Sequence, residues 1–162
     1  MPSDDKLNAL YSQIGFIVVQ WGHCEQSLEL LVNTLSRQYG GNKLPRRKRI
    51  PKPISEKISF VKECAQQIPS LAPFKQALTK LAKEFDAIMQ KRHDLVHGAL
   101  TDDPVIDGVF TFIRLETHPD IHEVKASTHD LNEFPSFAKT LVRLGADAPR
   151  VARLVFDARP KP

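Results

Sequence analysis

The stretch Arg92-His93-Asp94-Leu95-Val96-His97-Gly98 gathers a permanent cation and two titratable imidazoles within about two helical turns. His93 and His97 stand at i and i+4, so on a helix they share a face. Arg92 is out of character for its register. The apolar stripe Phe74, Leu78, Leu81, Phe85, Ile88 recurs at spacings of three and four, and its next member is Arg92, followed by Leu95. A guanidinium turned toward a helix seam must find an anion or hydrogen-bond acceptors, because desolvating it alone is costly. Such a cluster has what cleavage of an RNA phosphodiester needs. One imidazole can take the proton of a ribose 2′-OH, an imidazolium can protonate the leaving 5′-oxygen, and the arginine can hold the phosphate as charge builds up. That chemistry requires no metal, and the sequence calls for no cofactor.

Two other readings use the same residues. His93-Asp94-x-x-His97 imitates the H-E-x-x-H zinc helix, with His118, His122 or Glu116 as a third ligand for a zinc hydrolase. Against it, aspartate is one methylene shorter than the general-base glutamate, Gly98 ends the helix at once, and no third ligand falls at a recognised spacing. The other is a non-catalytic scaffold that binds RNA or protein.

Arg92, the polar His93 directly after it, and His97 five positions on at a helix end followed by glycine resemble the motif of the HEPN superfamily. The order of elements, with the motif closing the third of four helices, is similar too. So is the long first helix carrying Trp21 and Glu25, which looks like that of uncharacterised bacterial members. The resemblance implies a small helical-bundle fold and a metal-independent endoribonuclease, of the kind found among toxins, phage-defence effectors and RNA-processing factors. It implies Arg92 as the phosphate-binding cation, His97 as catalytic base or acid and His93 as the accessory polar group. It further implies a homodimer whose two motifs meet in one composite active site, RNA as substrate, and a cognate antitoxin as a further partner. Some toxin members carry, two residues after the histidine, a tyrosine that a partner nucleotidyltransferase modifies. Ala99 stands there, so that control is not expected.

Charge distribution points the same way. The chain has 162 residues and a net charge of +4. Lys43, Arg46, Arg47, Lys48, Arg49 and Lys52 lie together with no acid between them, and the chain without them is slightly acidic. This basic loop, residues 43–53, is the expected RNA-binding segment, since concentrated cations recruit polyanions. Hydrophobic residues at 41% and charged residues at 26% exclude a disordered or fibrous chain. The longest apolar runs, such as Phe16-Ile17-Val18-Val19, are far too short to cross a bilayer, and the N-terminus has no signal-peptide pattern; a cytoplasmic protein with no membrane partner is expected. Cys24 and Cys64 read as buried thiols.

The elements that must position the cluster are mainly helical, within a single domain over residues 1–162. Leu7, Leu10, Ile14, Ile17, Trp21, Cys24, Leu28, Leu31 and Leu35 predict a long first helix, stopped by Gly40-Gly41. Gly15 and Gly22, one heptad apart, offer a smooth patch for a second protomer. A second helix is expected over Ser55–Gln67, ended by Pro69, and a third from about Pro73, with Gly98 as a left-handed cap. Residues 109–127 predict a two-stranded hairpin turning at His118-Pro119-Asp120. A fourth helix from about Asp130 ends at Gly145, a short fifth follows over Ala148–Phe156, and residues 157–162 fray. The expected fold is a four- to five-helix bundle with a small inserted hairpin. Asp102, Asp103 and Asp107 read as turn residues.

Overall fold

In the computed structural model, which describes residues 4–45, 49–101, 108–118 and 121–159, the chain is mainly α-helical. Four helices, α1 (Asp4–Gln38), α2 (Ile54–Gln67), α3 (Lys75–His97) and α4 (Phe134–Asp157), accompany a small antiparallel sheet of β1 (Ala99–Leu100), β2 (Val109–His118) and β3 (Ile121–Asp130). The contacts divide the chain into two compact units. One comprises Met1–Gln20 with Met89–Thr140, the other Trp21–Ile88 with Leu141–Pro162.

In the second unit, segments of all four helices contribute to an apolar interior. The heptad pattern of α1 is the reason: Trp21, Cys24, Leu28, Leu31 and Leu35 are all buried, as the alternating spacing requires. The Trp21 ring meets Phe85 of α3 edge to face, with centroids 6.1 Å apart. Cys24 Sγ donates to the Leu141 carbonyl of α4 at 3.4 Å, and burial pushes its thiol up to about 11, so it is protonated and inert near neutrality. Both cysteines are free and buried. Lys57 of α2 reaches Glu29 of α1 at 2.6 Å and holds that carboxyl below its usual range. Gly40 leaves α1 at φ 74°, the left-handed conformation that glycine adopts without strain. Gly41 lets the chain turn tightly over α2, for a Cβ there would lie 2.7 Å from the Phe60 ring and 2.9 Å from Cys64 Sγ.

In the first unit the sheet follows directly on α3. The expected hairpin is there, but the chain leaving α3 adds a third strand: Ala99 and Leu100 pair with Ile113 and Phe112 of β2, and Thr101 N–H donates to Thr111 O. Two residues carry no periodicity, which is why sequence pattern missed β1. The returning strand is longer than expected, running on to Asp130, and His122 in it pairs with Thr117. Pro119 and Asp120 of the expected turn lie outside the described residues, as do Asp102, Asp103 and Asp107. One face of the sheet carries the buried Phe110, Phe112 and His129; Ile113, Leu115, Val124 and Ala126 line the other and are exposed.

Three helix boundaries depart from expectation. A 3₁₀ turn over Pro69–Phe74 precedes α3, which begins at Lys75. Asp130 caps a 3₁₀ turn over Leu131–Glu133, its carboxylate accepting from Asn132 N–H at 2.8 Å, and α4 begins only at Phe134 with Pro135 in its first turn. α4 then runs unbroken past Gly145 and through Pro149, so there is no separate fifth helix. Proline removes one hydrogen bond and crowds the carbonyl four residues back. That residue is Gly145, whose backbone has the most room to adjust. Among the described residues no helix is long and apolar enough to cross a membrane.

Candidate functional site

The last two turns of α3 present the motif. Arg92 and His93 are half-buried and His97 is exposed. Arg92 Nη1 lies 3.2 Å from His97 Nε2. A guanidinium can only donate, so a hydrogen bond in this contact uses Nε2 as its acceptor. His93 and His97 are one helical turn apart, and their rings lie 4.7 Å centroid to centroid, tilted by 55°. The three side chains named by the motif are therefore brought together at the helix end.

Gly98 follows at once, for a different reason from the one expected. The positive φ angles among the described residues are at Gly40 and Gly108, so Gly98 is not a left-handed cap. Its N–H donates to Asp94 O at 2.9 Å, completing the last helical turn. A Cβ on it would sit 2.5 Å from Asp94 O and 2.8 Å from Phe112 Cβ. Glycine is needed for close approach to β2, which brings the motif end of α3 onto the sheet.

That approach builds a polar network the motif alone does not suggest. Asp94 Oδ1 accepts from Gln90 Nε2 at 2.8 Å and pairs with Arg114 Nη1 of β2 at 3.4 Å. Arg114 pairs in turn with Glu116, and Glu116 with Lys125 of β3 at 2.6 Å. Lys125, then Arg114, hold the Glu116 carboxyl below its ordinary range, and Glu116 raises the Lys125 ammonium. Beside them Lys91 bonds Glu133 at 2.8 Å and lies 5.3 Å from the centroid of the Phe137 ring. His129 is buried, edge-on to Phe112 and within 3.1 Å of Ser127 Oγ; burial, reinforced by Lys91, shifts it down, toward the neutral form. The network has one signal in the sequence. Arg114 and Glu116 fall at the alternate positions that continue Phe110 and Phe112, so they share the inward face of β2.

The remaining sequence candidates are placed as follows. Lys43, Arg49 and Lys52 are exposed, with Arg49 at 4.0 Å from Glu56, while Arg46, Arg47 and Lys48 lie outside the described residues. Among the described residues no three His, Cys, Asp or Glu side chains gather as they would around a metal ion. A groove lined by Lys75, Gln76, Thr79, Lys80 and Lys83 runs along the first half of α3 and contains none of the motif residues. No protein-family profile, curated protein or solved structure matches the chain.

Proposed function

We propose that the chain is a metal-independent endoribonuclease of the HEPN type, with Arg92, His93 and His97 as its reacting groups. The observation that carries the reading is the 3.2 Å contact between Arg92 Nη1 and His97 Nε2. It sets a fixed cation and an imidazole nitrogen side by side at the end of α3. In the proposed step the scissile phosphate takes the guanidinium fork and His97 Nε2 is released to accept the 2′-OH proton. The 2′-oxygen forms a bond to phosphorus while the P–O5′ bond breaks. The leaving oxygen takes a proton from an imidazolium, the role proposed for His93, whose ring lies 4.7 Å from that of His97. The products are a 2′,3′-cyclic phosphate and a 5′-hydroxyl. Arg92 stabilises the charge that accumulates on the non-bridging oxygens, an effect typically of about 10²–10³ in rate.

The basic loop would hold the strand, an antitoxin would restrain the activity, and the setting would be cytoplasmic. The test is incubation of the purified chain with a labelled single-stranded RNA, its 2′-deoxy counterpart, and EDTA. Cleavage of the RNA alone, unaffected by the chelator and ending in a cyclic phosphate, is expected. Cleavage abolished by EDTA transfers the activity to the zinc reading, and salt-sensitive RNA binding without cleavage establishes the scaffold.

A further inference from the structure

β3 is the outer strand of the sheet, bonded to β2 on one side, and its residues from Ile121 to Ala126 are all exposed. The free edge of such a strand offers a row of backbone donors and acceptors to another chain. The registry of β2 and β3 is unusual in its charges: Arg114 stands directly opposite Lys125, and Glu116 directly opposite Glu123. Like charges in these positions oppose strand pairing. The diagonal bond between Lys125 and Glu116, together with the Arg114 pairs to Asp94 and Glu116, relieves most of this. Glu123 is left facing Glu116 with no ion pair among the described residues. On the other face, Leu115 and Val124 stand opposite each other, 61% and 66% exposed, next to Ile113 and Ala126.

We propose that the β3 edge docks a second copy of this chain, β3 against β3, antiparallel about a twofold axis centred on Val124. Self-complementarity argues for a second copy over any other partner. A twofold perpendicular to the sheet requires the axis to pass through one residue position, and the three central choices differ sharply in charge. Centred on Glu123, the pairing sets two carboxylates together; centred on Lys125, it sets two ammonium groups together. Centred on Val124, it places each Glu123 opposite Lys125 of the partner subunit, so one such pair forms on either side of the axis. The same registry lays Val124 on the partner's Val124 and joins two exposed Leu115–Val124 rows into one apolar strip. It is an isologous contact that closes on itself as a six-stranded sheet. Because Arg114 and Glu116 share a face with Glu123 and Lys125, both Asp94-bearing helix ends lie on one face of the joint sheet. The pairing stands whether or not the chain cleaves RNA.

The experiment is sedimentation of the full chain over a range of concentrations, with E123K and the exchange variant E123K/K125E, circular dichroism checking the fold of each. Wild type is expected to form a concentration-dependent dimer. Glu123→Lys removes the clash with Glu116 within the protomer yet sets an ammonium against the partner's Lys125, so it weakens the dimer about tenfold or more while the fold is kept. The exchange variant restores both cross-strand pairs and the dimer. Val124→Cys is expected to cross-link to its symmetry mate with a short bis-maleimide, since native Cys24 and Cys64 are buried. A monomer at every concentration, a dimer indifferent to E123K, or a dimer that gives no cross-link at position 124 overturns the proposal.

Discussion

Arg92 and His97 touch although they are five positions apart on one helix, a separation at which side chains do not ordinarily face each other. The long arginine stem spans the gap, and His97 is at the final residue of α3, where no further turn intervenes. His93, one turn before His97, packs its ring against the same imidazole. The motif is thus a contact as well as a spacing.

If that contact carries catalysis, Arg92→Ala and His97→Ala each lower RNA cleavage by about 10²–10⁴-fold, with the helical circular-dichroism signal intact. Arg92→Lys keeps the charge but loses the planar fork, so it recovers only part of the rate. A gel assay on labelled RNA reads all three, and unchanged cleavage in either alanine variant removes the assigned site.

Replacing Arg46, Arg47 and Arg49 with serine weakens RNA binding and flattens its dependence on salt. Three phosphate contacts to a single strand account for a log–log slope of about 2, so a loss of that order is expected from fluorescence anisotropy across a salt series. An unaltered slope excludes the loop from the binding surface.

Gly98→Ala forces a Cβ to within 2.8 Å of Phe112 Cβ and 2.5 Å of Asp94 O, and neither neighbour is the end of a flexible side chain. A destabilisation of roughly 1–3 kcal/mol follows, read by urea unfolding. Gly15→Ala and Gly22→Ala behave oppositely. Both glycines lie within α1 with nothing within 4 Å of a built Cβ, so alanine there stabilises the helix by up to about 1 kcal/mol. The smooth patch expected for a second protomer is open space in this protomer, and dimer mass measured on the two variants shows whether another backbone ever occupies it.

His129 gives stability a pH dependence of defined sign. Its folded pKa lies below the ordinary 6.5, so as pH falls below that value the unfolded chain protonates first. The contribution is fully present above pH 6.5 and is lost as pH falls through the lower folded value. Thermal unfolding measured from about pH 7.5 down to about 5 is expected to show a falling midpoint, and His129→Gln to flatten that limb. The carboxyls of Glu29 and Glu116, also shifted down, act in a separate and more acidic window.

The helices were legible in the sequence because a helix is a local object. The α1 seam from Leu10 to Leu35, the left-handed stop at Gly40 and the stripe of α3 follow from periods and caps that neighbouring residues determine among themselves. The same locality placed Arg92, His93 and His97 on one helix end. Tertiary structure alone decided the rest. The pairing of Ala99 and Leu100 with β2, the continuation of α4 through Pro149, the need for glycine at 98 and the relay from Asp94 through Arg114 and Glu116 to Lys125 all depend on partners distant in the chain. A hydrophobic or charge period states which face of an element is buried or charged. Which element meets that face is set by packing among all of them.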